Sequence, residues 1–293
     1  MEPLILSSSI IENFISPRKS TSRKGENGIV LVVGGSYIYH GAPVLSSLAA
    51  LRSGTDLVYT CVPKINVTST RSISPNLIVI PLVDQKLTLG AVKKLIGALP
   101  RNLHSATIGM GLAIQEKNSL LHLVKSLLDR DVRLSLDASA LIPEVLPLLA
   151  NKNVLVTPHA GEFKRLFGEI PSDSNPERIQ LVQQNALKYG ITILLKGPTD
   201  IISDGNVTYL CKKNTPAMTV GGTGDVLSGL VAGLLSTNRN CLESAASASF
   251  ICSLAGKNIQ EKLGLHMTAM DLIDEIPYVM KPFDKIIWSL WML

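Results

Sequence analysis

The sequence predicts an α/β protein in which helices cover both faces of a mostly parallel central β-sheet. Short apolar, β-branched runs of strand length alternate with helical patterns along nearly the whole chain. These runs are apolar at almost every position, which is typical of strands that are buried on both faces. Gly-rich or polar segments follow several of the runs, as expected at the ligand-binding edge of such a sheet.

The predicted elements follow one another from residue 29 onwards. The run IVLVV predicts a first strand at 29–33, which the glycines of GGS stop. A helix is predicted at 43–52, because Pro43 suits the first turn of a helix. Further strands are predicted at 57–62, 77–80, 106–108, 134–136, 154–156 and 192–195, and further helices at 117–130, 176–189 and 225–236. Segments 201–203 and 207–210, joined by the turn sequence DGN, predict a hairpin that forms an antiparallel edge.

The chain is expected to form a single domain spanning residues 1–293, because no internal break divides it. With 46% hydrophobic and 17% charged residues, the chain is expected to form a compact core rather than a disordered segment. The 293 residues fit one large α/β domain or two small ones, and no linker, repeat or low-complexity block divides them. The last segment, 281–293, carries Trp288 and Trp291 and is expected to pack against the domain or a subunit neighbour.

Charge and cysteine usage narrow the function classes. The net charge of +5 is scattered, which favours attraction of phosphorylated small molecules over a nucleic-acid or membrane surface. One local cluster of basic residues, at positions 18, 19, 23 and 24, predicts an exposed loop. Four cysteines without a CxxC pair predict buried, reduced thiols in a cytoplasmic protein. The sequence contains no apolar run of roughly 20 residues and no signal peptide, so no membrane role is expected.

The strongest chemical signal is TVGGTGDVLSG at 219–229, which directly precedes a helical pattern. Amides of Gly221, Gly222 and Gly224 can approach phosphate oxygens closely, and the start of a helix adds a favourable dipole. Asp225 is placed to accept a proton from a substrate hydroxyl; the alternative is that it only caps the helix. No Lys-Ser/Thr pair follows, so the loop is not a Walker A motif, and GMG at 109–111 lacks the dinucleotide-binding spacing.

The loop GGTGDVLSG resembles the anion-hole motif of ribokinase-like vitamin kinases. Taken with four further segments, it resembles the NAD(P)H-hydrate dehydratase family over residues 24 to 280. The segments are GIVLVVGGSYIYHGAPVLSSLAALRSG (28–54), SPNLIVIPL (74–82), VTPHAGEFKRLFG (156–168), LLKGP (194–198) and NTPAMTVGGTGDVLSGLVAGLL (214–235). The resemblance implies a ribokinase-like three-layer α/β/α fold. Many relatives carry an additional N-terminal epimerase domain, which this sequence is not expected to have.

The resemblance also implies a reaction and its co-substrates. NADH hydrate or NADPH hydrate, the S epimer with water added to its nicotinamide ring, would be dehydrated. ADP or ATP, with Mg²⁺, would phosphorylate the ring hydroxyl, and phosphate would then leave. A compact chain of this kind resembles the ADP-dependent microbial relatives, so ADP is expected, with ATP as the alternative. Relatives also imply a homo-oligomer, such as a tetramer.

The family motifs imply a role for specific residues. The hydrate site is expected to contain Ala42, Gly111, His159 and Asp225, with Asp225 as the catalytic base. The nucleotide is expected to contact Lys196, Gly197, Pro198, Thr199, Asp200 and Gly224. The anion hole is expected to consist of Gly222, Thr223 and Gly224. Glu162 is the candidate magnesium-associated acid.

Three of these residues also have a simpler interpretation. His159 would only bond to its own loop, Lys196 would be an exposed lysine at a strand end, and Glu162 would be an ordinary first-turn acid. The other histidines, at positions 40, 104, 122 and 266, share no metal-ligand spacing and are interpreted as structural or exposed.

Two segments depart from the family pattern. Relatives usually show GxGLG where this chain has GMGLA at 109–113, and DADxL where it has DASAL at 137–141. The second departure removes a carboxylate and leaves the role of Asp137 open. Because GGTGD is intact, an active enzyme is expected. A kinase of a small vitamin-precursor alcohol and a nucleotide-binding sensor without turnover are the alternative functions.

Overall fold

A computed structural model describes residues 2–213 and 215–288 of the chain. A ten-stranded sheet lies between two layers of helices, which confirms the predicted three-layer α/β/α fold. The strands are β1 (Leu4–Ile5), β2 (Arg18–Lys19), β3 (Ile29–Val33), β4 (Leu57–Pro63), β5 (Ile78–Leu82), β6 (Ser105–Ile108), β7 (Arg133–Leu136), β8 (Val154–Val156), β9 (Thr192–Leu195), β10 (Thr199–Ser203), β11 (Thr208–Lys212) and β12 (Ile286–Ile287). The helices are α1 (Ser8–Phe14), α2 (Ala42–Arg52), α3 (Val67–Ile73), α4 (Leu89–Ala98), α5 (Lys117–Leu128), α6 (Leu146–Leu149), α7 (Ala160–Phe167), α8 (Asn175–Tyr189), α9 (Thr223–Asn238), α10 (Cys241–Leu263) and α11 (Ala269–Met280).

The sheet has a parallel block and an antiparallel edge, as predicted. The strand order is β1-β11-β10-β9-β8-β7-β6-β3-β4-β5, and every pair from β9 to β5 is parallel. Strand β10 runs antiparallel to both β9 and β11, and the short β1 pairs in parallel with β11 at the edge. In a parallel block all strands end at the same edge, so the segments that follow them meet there.

The five residues of β3 show why the sheet is covered on both faces, because all of them are buried. Ile29, Leu31 and Val33 belong to the core formed with the layer of α4 to α8. Val30 and Val32 belong to the opposite core, together with residues of α2 and α9. Successive side chains of a strand point to opposite faces, so an uninterrupted apolar run fills both cores.

Helices α2 and α9 pack unusually closely because α9 carries glycines on the shared face. A Cβ atom at Gly229 would lie 1.9 Å from the carbonyl oxygen of Ser46, and one at Gly233 would lie 2.1 Å from Oγ of Ser53. The hydroxyl of Ser46 donates to the carbonyl oxygen of Asp225 at 2.7 Å. Helix α2 therefore fixes the position of the first turn of α9.

All predicted strands and helices are present, and their ends differ from the prediction by two residues or fewer. Several helices were not predicted, including α10, which at 23 residues is the longest of the described helices. Helix α10 is rich in Ala, Ser and Cys and packs against α9, α11 and the sheet. Because it is buried on several sides, it lacks the single apolar stripe by which surface helices are recognised.

The basic cluster and the tail differ in part from the prediction. The four residues of the basic cluster are exposed, as expected. Arg18 and Lys19, however, do not lie in a loop but form β2, which pairs in parallel with β12. Trp288 is 66% exposed, so the domain does not cover it and the alternative of a subunit contact stays a prediction, whereas Trp291 lies outside the described residues. All four cysteines are buried free thiols, as predicted. Among the described helices, none has the length and apolarity to span a bilayer.

Candidate active site

The candidate site lies at the carboxyl edge of the parallel block. The segments that follow β3, β6, β7, β8 and β9 meet there, because these strands are consecutive neighbours in the sheet. Main-chain bonds join the segments: the amide of Gly109 donates to Val33 at 3.0 Å, and the amide of Asp137 donates to Ile108 at 3.0 Å. The amide of Lys196 donates to the carbonyl of Pro158 at 2.8 Å. The strand-end motifs identified in the sequence therefore form one contiguous surface.

The Gly-rich loop enters α9 with its amides free. Gly222 precedes the helix in the left-handed region at φ 94°, which a glycine adopts without strain. The hydroxyl of Thr223 lies within donor range of the carbonyls of Met218 and Val220, at 3.0 and 3.1 Å, and so holds the loop. Within residues 2–213 and 215–288, no acceptor bonds the amides of 223–225. Three unpaired amides at a helix start form the kind of cradle that binds phosphate oxygens.

Asp225 lies in the first turn of α9, two residues inside its start, and not at the capping position that the sequence suggested. Its carboxylate forms no hydrogen bond with any described residue, so the capping interpretation is wrong. Burial is the largest cause that raises the pKa of Asp225, to about 6; Asp137 and Glu162 add to it, and Lys196 opposes it. A partly exposed, unpartnered carboxylate with a raised pKa is suited to accept a proton near neutral pH.

Lys196 carries the central positive charge of the site. Its ammonium lies 2.8 Å from Oδ1 of Asp137 and 3.5 Å from Oε2 of Glu162. Burial would lower the pKa of Lys196, but the two carboxylates outweigh burial and the net effect raises it. A Cβ atom at Gly224 would lie 3.8 Å from its Nζ, so Lys196 also borders the start of α9. The exposed-lysine interpretation is therefore wrong, since only 16% of this side chain is accessible.

Asp137 is a member of the site that sequence reasoning left unassigned. It is 2% exposed at the end of β7, and its carboxylate accepts from Lys196. Its position directly after a buried strand was the available signal, but the departure of the next residues from the family pattern obscured it. The structure thus places three carboxylates, of Asp137, Glu162 and Asp225, around one ammonium.

His159 and Glu162 form the start of α7. Nδ1 of His159 accepts from the amides of Gly161 and Glu162 at 3.0 and 3.3 Å, while Oε2 of Glu162 accepts from the amide of His159 at 2.9 Å. This reciprocal capping box bears out the simpler interpretation of both residues. The ring of His159 is nevertheless 60% exposed and faces the same edge, so the two roles are compatible.

The side chains near Glu162 suit Mg²⁺ only if a bound ligand supplies further oxygen atoms. No group of three His, Cys, Asp or Glu side chains in the described part of the chain is arranged to hold a metal. Mg²⁺ commonly uses one or two carboxylates together with substrate phosphates, and Glu162 beside the amide cradle fits that arrangement. His104 is structural, as expected, because its Nδ1 accepts from the amide of Ile29 at 3.0 Å.

Ala42 and Gly111, both expected in the hydrate site, are direct neighbours. A Cβ atom at Gly111 would lie 3.2 Å from Cβ of Ala42 and 2.7 Å from Cβ of Tyr39. Gly111 also has a positive φ of 62°, so both the space and the backbone favour glycine. Ala42 begins α2, the helix that holds Asp225 through Ser46.

The segment from Lys196 to Asp200 turns from β9 into β10, and one of its expected contacts needs correction. The carboxylate of Asp200 is completely buried. It accepts from the amide of Gly197 at 3.0 Å and the hydroxyl of Ser249 at 2.8 Å, and pairs with Lys213 at 2.9 Å. With its oxygens occupied inside the protein, this side chain does not face a nucleotide. Asp200 instead stabilises the β9–β10 turn, which would contact the nucleotide.

Comparison with known proteins agrees with this geometry. The family model described as NAD(P)H-hydrate dehydratase matches residues 30–278. An ADP-dependent (S)-NAD(P)H-hydrate dehydratase from Nitrosopumilus maritimus is 79% identical over 281 residues, which cover 96% of this chain and 98% of that protein. A bifunctional NAD(P)H-hydrate repair enzyme from Pyrobaculum aerophilum is 42% identical over 268 residues, 91% of this chain and 53% of that protein.

A solved structure extends the similarity to three dimensions. The ADP/ATP-dependent NAD(P)H-hydrate dehydratase from Bacillus subtilis, co-crystallised with ATP and Mg²⁺, superposes with a TM-score of 0.84. The two chains are 25% identical, and the match covers 97% of this chain and 100% of that chain.

Proposed function

The chain belongs to the NAD(P)H-hydrate dehydratase family, and from that premise we propose that it repairs hydrated nicotinamide dinucleotides in an ADP-dependent reaction. The S epimer of NADH hydrate or NADPH hydrate is dehydrated to NADH or NADPH, with phosphorylation of the ring hydroxyl as the driving step. One observation carries the proposal: the carboxylate of Asp225, which no described residue bonds, lies in the same helical turn as three amides that are likewise unpaired among the described residues.

In the first step Asp225 accepts the proton of the ring hydroxyl. The hydroxyl oxygen then bonds to the terminal phosphorus of ADP, and the bond from that phosphorus to AMP breaks. Amides of Gly222, Thr223 and Gly224 are placed to hold the charge that develops on the transferring phosphoryl oxygens. The amides are already oriented by the helix, so little reorganisation opposes the transfer.

In the second step phosphate leaves from the ring. The lone pair of the ring nitrogen expels the phosphate, and loss of a proton from the adjacent carbon restores the double bond. The sum is hydrate plus ADP giving reduced dinucleotide, AMP and phosphate. The phosphorylation matters because it replaces hydroxide, a poor leaving group, with phosphate.

The nucleotide lies against the β9–β10 turn, where Lys196, Gly197, Pro198 and Thr199 form the contact surface. Lys196 is placed to offset phosphate charge, because it lies between Asp137 and the start of α9. Glu162, with the phosphate oxygens, would hold Mg²⁺, which neutralises charge on the transferring group. Ala42, Gly111 and His159 line the hydrate side of the site.

An absorbance assay tests the proposal. Purified protein with NADPH hydrate, ADP and Mg²⁺ is expected to restore the reduced-nicotinamide absorbance and release one phosphate per AMP.

Asp225→Asn is expected to lower turnover by roughly 100-fold or more, the scale of a lost positioned base, with little change in nucleotide affinity. Accumulation of a stable phosphorylated alcohol would support the alternative of a small-molecule kinase. Nucleotide binding without any turnover by the wild-type protein would support the alternative of a sensor.

We also propose a homo-oligomer, such as a tetramer, that acts on free dinucleotides in the cytoplasm without nucleic acid or membrane. Support comes from scattered basic charge and from exposed apolar residues such as Trp288 and Ile286, which suit subunit contacts. Sedimentation of the purified chain is expected to give a mass that is a multiple of 31.5 kDa.

A further inference from the structure

An exposed apolar loop borders the hydrate side of the site. It joins β3 to α2 and presents Tyr37, Ile38 and Tyr39, which are 71%, 74% and 64% exposed. Neither tyrosine ring has an aromatic or cationic partner within the described residues. Three consecutive exposed large apolar residues are costly unless a ligand or partner covers them.

The base of the loop is held rigidly although its tip is exposed. The amide of Gly35 donates to the carbonyl of Met110 at 2.9 Å. The side-chain amide of Asn66, itself 5% exposed, donates to the carbonyl of Ser36 at 2.8 Å. The hydroxyl of Ser36 accepts from the amide of Tyr39 at 3.1 Å. The exposed rings are therefore presented from a fixed base and in a fixed direction.

The loop differs in position from another exposed apolar run, Ile286 to Trp288, which begins in β12 and pairs with β2 rather than with the central sheet. Tyr39 lies directly over Gly111, so close that a Cβ atom there would be 2.7 Å from Cβ of Tyr39. The loop also leads into Ala42 at the start of α2. One helical turn later, roughly 6 Å along the helix, Ser46 donates to the main-chain carbonyl of Asp225.

We propose that Tyr39 is a specificity-determining residue that covers the nicotinamide end of the dinucleotide hydrate, with Tyr37 and Ile38 completing the apolar wall. This inference rests on the proposed function. The ring hydroxyl must reach Asp225, so the ring itself lies at the start of α2 and beside Gly111. The partly saturated ring of the hydrate there meets the exposed face of Tyr39 with its ring carbons and removes that face from water.

The decisive experiment separates the two co-substrates kinetically. Tyr39→Ala is expected to raise KM for NADPH hydrate roughly tenfold, the scale of one lost stacking contact, while KM for ADP changes less than twofold. Tyr39→Phe is expected to retain near-normal KM values, because the ring is kept. Tyr278→Ala is the matched control, since Tyr278 is 72% exposed on α11, and both KM values are expected to stay unchanged.

A binding measurement keeps this inference separate from the proposed reaction. NADPH without ADP is expected to gain ring fluorescence on the wild-type protein, and this gain is expected to be lost in Tyr39→Ala. If the wild type binds NADPH but does not convert the hydrate, the reaction is refuted and the Tyr39 contact stands. If hydrate is converted with the same KM by Tyr39→Ala, the Tyr39 contact is refuted. A lower oligomeric mass with unchanged KM would instead identify the loop as a subunit contact and overturn the inference.

Discussion

Asp225 shows how a single position serves chemistry at the expense of stability. Burial and two nearby carboxylates raise its pKa to about 6, against an ordinary value of 3.8. Lys196 opposes this shift but is itself paired with Asp137 at 2.8 Å. The folded protein therefore favours the neutral acid, whereas the unfolded chain ionises it freely. Above pH 6 the fold must hold a charge that it disfavours.

Asp225→Asn is accordingly expected to stabilise the protein in a pH-dependent way. A raised folded pKa contributes stability that is complete below about pH 4 and lost as pH rises through 6. The variant is expected to gain about 1–3 kcal/mol over wild type at pH 7–8, discounted for the partial exposure of the carboxylate, and almost nothing at pH 4. Urea unfolding across that range measures the difference, with the exposed residue in Asp173→Asn as control. An equal gain at every pH would show that charge is not the cause.

The place of a residue in the site can be predicted from sequence when its position in a motif fixes the direction of its side chain. Asp225 and Lys196 belong to this class, since each lies beside a strand end or helix start. Asp200 does not, because its direction depends on Ser249 in α10, a contact that spans 49 positions. Asp137 was left unassigned because the residues after it depart from the family pattern, and its partner, Lys196, is 59 positions away.

At the scale of elements, the contact between α2 and α9 carries the site. Gly229→Ala is expected to destabilise the protein by about 1–3 kcal/mol or more, because its Cβ atom would lie 1.9 Å from the main chain of Ser46. Gly97→Ala in α4 is the matched control, since nothing lies within 4 Å of its Cβ position. That control is expected to gain roughly 0.5–1 kcal/mol from helix propensity. Midpoints of urea unfolding measure both; similar midpoints would refute the close packing of α2 on α9.

The β9–β10 turn is a second element whose support is testable. Asp200→Asn is expected to raise KM for ADP roughly tenfold, because the turn loses a buried anchor of several kcal/mol, while KM for the hydrate changes less than twofold. Asp204→Asn is the control at the other end of β10, where Asp204 accepts from the amides of Asn206 and Val207. Initial rates with each co-substrate varied give the comparison. Equal increases in both KM values would remove the turn from the nucleotide site.

Strands were more predictable than helices in this chain for a physical reason. A strand such as β3 is buried on both faces, so its sequence is apolar throughout and needs no period to be recognised. Helix α10 is also buried on several sides, but close packing requires small residues, and Ala, Ser and Cys resemble no amphipathic pattern.

The protein is expected to unfold as one unit, because its two cores are built on the same sheet. Each core uses alternate residues of the same strands: Leu194 faces one layer, whereas Ile193 and Leu195 face the other. Strand β1 near the start pairs with β11, and α1 packs on α10, so distant parts of the chain are joined. Such contacts between distant parts of the chain are expected of a single domain.

Thermal unfolding at a fixed protein concentration is therefore expected to show one transition. ADP at 100 times its Kd is expected to move the whole transition upward, since binding adds about 2.7 kcal/mol to the folded state. Asp225→Asn is expected to keep this shift, whereas Lys196→Met is expected to lose most of it, because the proposed nucleotide contact of Lys196 supplies a positive charge beside the start of α9. Two resolved transitions, of which ADP moves only one, would show instead that the nucleotide site and the rest of the sheet unfold separately.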